Sequence, residues 1–96
     1  MILFEAIARR QQVSAIYNGM QIQMAPHVLY TRDEMLYLGA VVTIRRGVAV
    51  PQVKLSIFKV DGLRELALLA APFEIDRDFD PADARYAAST VFVVER

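Results

Sequence analysis

The sequence predicts an α+β fold in which one N-terminal helix packs on a small, strongly bent antiparallel sheet of five or six strands. In residues 2–12, apolar side chains recur at three- and four-residue spacing, which is the period of an amphipathic helix. Residues 13–69 break into short segments that are rich in β-formers and separated by turn sequences, which is typical of consecutive antiparallel strands. We divide the 96 residues, as a single domain, into a helix, strands, an acidic loop and a terminal strand: 2–12, 13–69, 70–89 and 90–95.

Each strand is predicted from its own pattern. Asn18-Gly19 is a strong hairpin signal, because both turn positions of a type I′ turn need positive φ. After it, in Met20–Ala25, apolar Met20, Ile22 and Met24 alternate with Gln21 and Gln23, and Pro26 then predicts an edge, a bulge or a bend. Met35–Ile44 is apolar at both alternating positions, which predicts a central strand covered on both faces, with Gly39 at a bend or close approach. Val53–Val60 alternates again.

The last third of the chain is less regular. Residues 63–69 fit a helix by leucine spacing and a buried strand by alternation, and we favour the strand because the stretch between Gly62 and Pro72 is short for a helix. Residues 70–89 predict an ordered acidic loop held by aromatic contacts. The terminal segment 90–95 could either close the sheet or pair with another chain. We expect six apolar side chains to share the core: Ile22, Leu38, Val41, Leu55, Phe58 and Leu66.

Composition excludes several classes of site. The chain has no cysteine and one histidine, which excludes disulfides, thiolate metal sites and sites built from two imidazoles. The net charge is zero, but residues 1–64 carry eight basic and four acidic side chains, while residues 65–96 carry three basic and seven acidic ones. We expect the acidic part to cover or neutralise the basic part. No uncharged stretch is apolar enough to span a bilayer, so we expect a cytoplasmic protein without a membrane partner.

Catalysis is not predicted. None of the three serines that fall in strand patterns, Ser14, Ser56 and Ser89, lies in a nucleophile elbow. The alternating acids Asp76, Asp78 and Asp80 are followed by neither the glycine nor the glutamate of a calcium loop. We therefore expect a non-enzymatic protein that has no cofactor and no metal.

Four short motifs occur in an order that resembles the WYL domain family. They are Ala6-Ile7-Ala8-Arg9 before Tyr17, then Ala25-Pro26-His27-Val28-Leu29, then Leu36-Tyr37-Leu38, and finally Phe58-Lys59-Val60-Asp61-Gly62-Leu63. The resemblance covers about residues 3–75 and implies a small Sm-like barrel. This chain departs from the family pattern at three positions. Where members usually carry arginine, it has Ile22, Ser56 and Gly62.

The resemblance implies a ligand-sensing module of bacterial transcription regulators, which binds an anionic small ligand or nucleic acid. Only about twelve residues precede the first predicted strand, so we expect a stand-alone copy that works beside a separate DNA-binding protein. The candidate ligand residues are His27, Tyr37, Lys54, Lys59, Arg45 and Arg46, and Arg32 belongs to the same basic set. Structural roles stay open for four of them: a hydrogen-bonded His27, a core Tyr37 and a solvated hairpin tip for Arg45 and Arg46.

A second hypothesis is that the barrel has lost its ligand site. In that case the chain is a structural or protein-interaction module. Its Thr90–Val94 segment would then add a strand to a partner sheet or form a homodimer.

Overall fold

The computed structural model describes all residues from Met1 to Arg96. It contains one α-helix and seven strands, with single 3₁₀ turns at Val60–Gly62 and Ala87–Ser89. The elements are α1 Ile2–Arg9, β1 Gln11–Tyr17, β2 Met20–Arg32, β3 Met35–Arg45, β4 Val48–Ala49, β5 Leu55–Lys59, β6 Leu63–Pro72 and β7 Thr90–Val93.

The helix forms where the apolar stripe predicts it but ends three residues early. Leu3, Ala6 and Ile7 are buried against the sheet, as the spacing requires. The predicted end at residue 12 is wrong, because Arg10 adopts the left-handed conformation with φ 54° and its N–H bonds back to carbonyls of the last turn. That C-cap redirects the chain, and β1 starts at the next residue, Gln11.

The strands form one antiparallel sheet that curls into a half-barrel around two long central strands. β2 pairs with β3 along one edge, and its other edge is shared by β1 at residues 20–24 and β7 at residues 28–30. The far edge of β3 is likewise shared by β5 and the short β4, and β6 pairs with β1. A register shift between Pro26 and Val28 makes the bulge that the proline predicts.

One core joins the helix to both faces of the central strands. Of the six predicted core residues, Ile22, Leu38 and Phe58 belong to a cluster of 18 buried residues, and Leu55 and Leu66 are half-buried against it. Val41 is buried but lies outside this cluster, where it lines a cleft with Ala25 and Phe73.

β3 is covered on both faces, as its sequence predicts. Every residue from Leu38 to Val42 is buried. Gly39 is a close-approach point, since a Cβ built there would lie 2.8 Å from Cγ1 of Val28.

The ambiguous segment 63–69 is a strand. β6 extends to Pro72, so the acidic loop begins three residues later than predicted. Aromatic contacts do hold this loop: Phe79 and Tyr86 are buried, with ring centroids 5.9 Å apart, and Tyr86 packs on Tyr30 of β2. The terminal strand pairs with β2 of its own chain. No helix of the chain is both long and apolar enough to cross a membrane.

Candidate functional site

A cavity of about 240 Å³ opens at the end of the half-barrel where β1 turns into β2. Its floor is apolar and its rim is polar. The floor consists of Met20, Ile22, Val42 and Phe58, and the rim consists of Tyr17, Asn18, Arg45 and Ser56. We call this the mouth cavity.

Strand register explains why these residues meet. Ile22 pairs with Arg45 across β2 and β3, and Ser56 of β5 pairs with Ala40 of β3. Directly opposed residues of an antiparallel pair share one face of the sheet. The Asn18-Gly19 turn, with φ of 51° and 73°, closes the β1–β2 side of the cavity in the positive-φ conformation that its sequence predicts.

Tyr17 forms one wall of the mouth cavity and depends on a glycine. Its ring meets Phe58 edge-to-face, with centroids 5.0 Å apart. A Cβ at Gly62 would lie 3.0 Å from Cε1 of Tyr17, which is tighter than an ordinary contact. Gly62 therefore allows the tyrosine ring to lie against the 3₁₀ turn.

The three departures from the WYL pattern come together at this cavity. Ile22 and Ser56 line it, and Gly62 lies against its Tyr17 wall. The positions that would carry arginine in that family are thus apolar, neutral and side-chain-free here. Arg45 is the cation that remains in the lining, and its exposed side chain takes part in none of the chain's ion pairs.

Two other basic candidates lie near this end of the sheet. Arg46 and Gly47 form the tight turn after β3 with φ of 52° and 80°, and the N–H of Arg46 bonds to the carbonyl of Gln21 at 2.9 Å. Lys54 is exposed immediately before β5, two residues from Ser56. Arg45 and Arg46, at the tip of the hairpin between β3 and β4, are exposed to solvent. This agrees with the structural alternative stated for them above.

Tyr37 and Lys59 lie at the opposite end of β3. They face each other across β3 and β5, and the Tyr37 ring stacks on Tyr30 with centroids 5.7 Å apart. Arg45 lies eight positions after Tyr37 along β3, a distance of up to about 26 Å at roughly 3.3 Å per residue. The six candidate residues therefore do not form one site.

His27 has a structural environment. The ring is fully buried, and Phe73 and Phe79 lie against it with centroids 5.1 Å away. Nδ1 lies 2.8 Å from the carbonyl oxygen of Ala25, which can only accept, while Nε2 lies 3.0 Å from the backbone N–H of Asp76, which can only donate. The ring is therefore the neutral Nδ1–H tautomer, and neither nitrogen is free for a ligand.

Burial lowers the pKa of His27 below its ordinary value, since the charged imidazolium loses hydration. The Ala25 carbonyl and Asp76 act in the opposite direction but more weakly, and Arg96 adds to the lowering. The imidazole is thus held neutral in the fold.

The acidic side chains of the loop form no ion pair with the basic residues of the first 64 positions. The chain has two ion pairs, Glu5 with Arg9 and Asp83 with Arg85, and neither reaches the mouth cavity. Asp80 and Asp83 instead accept hydrogen bonds from backbone N–H groups two residues on, within the loop. We expected the acidic loop to neutralise the basic residues 1–64. As far as ion pairs are concerned, this expectation is wrong. No cluster of acids and histidine here could hold a metal ion.

Comparisons of this chain with protein-family models, with curated proteins and with solved structures found no match. The mouth cavity is therefore judged on its own geometry. Sequence reasoning missed Tyr17 and Asn18 as lining residues. A signal in the sequence could have pointed to them: Ile22, Ser56 and Gly62, the three positions where the chain lacks the arginines of the WYL pattern, all lie in or beside the mouth cavity.

Proposed function

We propose that this chain is a non-enzymatic binding module whose mouth cavity takes a small amphipathic carboxylate. The observation that carries the proposal is an apolar floor beside a single unpaired guanidinium, that of Arg45. A guanidinium binds a carboxylate through two parallel hydrogen bonds, while the floor of Ile22, Val42 and Phe58 would accept a hydrocarbon body.

The WYL resemblance supports an anionic ligand, and the departures narrow it. Three arginines would suit a polyanion, but this chain has isoleucine, serine and glycine at those positions. A singly charged ligand with an apolar body suits the lining that is present. At about 240 Å³ the cavity accepts a ring or a short alkyl chain and excludes a nucleotide.

We also propose that the half-barrel is Sm-like. In its support, the sheet runs in the order β5-β3-β2-β1-β6, and the single turn Val60–Gly62 leads the chain from one outer strand to the other. A crystal structure with β5 and β6 at the far sides of a flat, open sheet would contradict this. We place the module in the cytoplasm, because no stretch of the sequence is apolar enough to span a bilayer, and export of a tagged copy would contradict that placement. The resemblance implies that it works beside a separate DNA-binding protein.

The test is a titration of ¹⁵N-labelled protein with phenylacetate and with the neutral analogue 2-phenylethanol. We expect saturable shifts at the amides of Tyr17, Arg45 and Ser56, with the acid binding more tightly. Arg45→Ala should remove the preference for the acid and leave binding of the alcohol, whereas Arg77→Ala, in the exposed loop, should change neither. Equal binding of the acid by wild type and Arg45→Ala would overturn the proposal.

A second candidate function rests on the surface formed by α1 and β7. Phe4 is 37% exposed, although its ring packs on Phe92 of β7 at 5.3 Å, and Val91 is 47% exposed. β7 pairs only with β2, so its outer edge has no strand beside it. Addition of a strand at this edge in a homodimer is the alternative, and sedimentation that shows a monomer at millimolar concentration would exclude it.

A further inference from the structure

A larger cavity, of about 600 Å³, lies at the other end of the half-barrel. It is an open depression bordered by the end of β2, by β5 and by the loop that leads into β7. Its lining is Tyr30, Thr31, Arg32, Ile57, Ala84, Arg85 and Ser89. We call this the tip cavity, and none of its lining residues lines the mouth cavity.

Two arginines reach the tip cavity from different parts of the chain. Arg32 is exposed at the end of β2 and forms no ion pair, not even with Asp33 or Glu34 in the turn that follows. Arg85 comes from the loop and is held by Asp83, which accepts from Nε at 3.1 Å and from Nη2 at 3.2 Å. The second terminal nitrogen of Arg85, Nη1, is left free for a ligand.

Both arginines line the tip cavity together with Tyr30. Burial raises the pKa of the Tyr30 phenol, and both Arg32 and Arg85 lie close enough to lower it in part. The ring itself is held between Tyr37, at 5.7 Å, and Tyr86, at 5.4 Å, so the position of its hydroxyl is fixed by packing. The guanidinium of Arg85 also lies 5.6 Å from the centre of the Tyr86 ring, which further fixes its place.

Neutral donors complete the lining. Tyr30, Thr31 and Ser89 also line the cavity, and each carries a hydroxyl group. Ile57 and Ala84 supply apolar surface beside them. Lys59 lies across the strand pair from Tyr37 and adds a further positive charge on this end of β5.

From this arrangement we infer that the tip cavity binds a phosphate monoester with a compact organic body. A monoester near neutral pH carries close to two negative charges and three strongly accepting oxygens. The unpaired guanidinium of Arg32 and the free Nη1 of Arg85, whose charge is partly balanced by Asp83, would bind the phosphate, and the hydroxyl-bearing side chains of the lining can supply further donors. The volume suits a nucleoside monophosphate, since ligand pockets of this kind span about 300 to 1,000 Å³.

This inference does not depend on the proposed function, because the two cavities involve opposite ends of β2 and share no lining residue. Arg45→Ala should therefore leave binding at the tip cavity unchanged. If phenylacetate does not bind at the mouth cavity, adenosine monophosphate can still bind at the tip cavity, and the reverse also holds.

The test is isothermal titration calorimetry of the whole chain with adenosine monophosphate in low salt, where phosphate contacts are strongest. We expect one saturable site, and Arg32→Ala should weaken it about tenfold or more, because a charge-assisted contact is lost. Arg32→Lys should recover part of the loss. Arg64→Ala removes an exposed cation on β6, outside the cavity, and should leave the affinity as it was.

Three outcomes would overturn the inference. One is the absence of saturation at millimolar adenosine monophosphate. Another is equal loss from Arg64→Ala and Arg32→Ala, which would indicate a diffuse charge effect. The third is binding of a short single-stranded oligonucleotide without binding of the monophosphate, which would assign the surface to a polymer. Arg32 is exposed and has no ion-pair partner in the chain, so we expect Arg32→Ala to keep the fold, and the circular dichroism spectrum and melting temperature of the variant check this.

Discussion

Nε2 of His27 accepts a hydrogen bond from the backbone N–H of Asp76 at 3.0 Å, and this contact joins two parts of the chain 49 residues apart. It fixes the start of the acidic loop to the bulge in β2. Behind it, Phe79 packs on the His27 ring, and Tyr86 continues the contacts to Tyr30. The buried histidine is thus where the loop that forms the tip cavity is anchored to the sheet.

Stability should fall in mild acid because of this residue. The folded state lowers the pKa of His27, whereas the unfolded chain titrates near the ordinary 6.5. As the pH drops, the unfolded state binds more protons than the folded state. The contribution of His27 to the free energy of unfolding is therefore fully present above about pH 6.5 and is lost as the pH falls from there towards the lower pKa of the folded state. The slope approaches about 1.4 kcal/mol per pH unit for one proton.

Urea unfolding between pH 7.5 and 5 measures this effect. His27→Gln removes the titrating group, so the difference in free energy of unfolding between the two proteins should shrink as the pH falls. A difference that stays constant over that range would mean that the folded protein accommodates the charged ring, through Asp76 for example.

The histidine shows what the sequence could and could not predict. The proline, the hairpin signal and the alternation predicted the bulge, the turn and the strands, because these depend on residues a few positions apart. The partners of His27 lie in a loop whose path depends on burial of Phe79 and Tyr86, and no local pattern encodes that path. In the same way, Ile22 and Ser56 line one cavity only because β2, β3 and β5 pair in a particular register.

Gly39→Ala should destabilise the fold by about 1–3 kcal/mol, the usual cost of overpacking. The added Cβ would lie 2.8 Å from Cγ1 of Val28, which is fully buried between strands and cannot move away freely. Chemical denaturation gives the value. In a Val28→Ala background the same substitution should cost clearly less, and equal costs in both backgrounds would show that the two residues do not compete for space.

Tyr86→Phe should cost about 1 kcal/mol, since it deletes one hydrogen bond and keeps the ring. The Tyr86 hydroxyl donates to the carbonyl of Asp80 at 2.9 Å, and the side chain is 1% exposed. Tyr86→Ala should cost about 3–5 kcal/mol, because the aromatic contacts with Tyr30 and Phe79 are lost as well. If thermal unfolding shows the two variants to be equal, the ring contacts contribute nothing and the loop is not held by them.

Glycine at the end of α1 should have opposite effects at two adjacent positions. Arg10→Gly should raise the free energy of unfolding by up to about 1 kcal/mol, because Arg10 sits at φ 54°, where glycine has no Cβ penalty. Arg9→Gly should lower it by about 1 kcal/mol, since it places glycine inside the helix and also removes the exposed pair with Glu5. Each variant loses one exposed arginine, so the difference between their urea midpoints reports the backbone conformation plus the exposed Glu5–Arg9 pair, which contributes about 0.3–0.5 kcal/mol. Destabilisation by Arg10→Gly as large as that by Arg9→Gly would mean that the helix continues through residue 10 in solution.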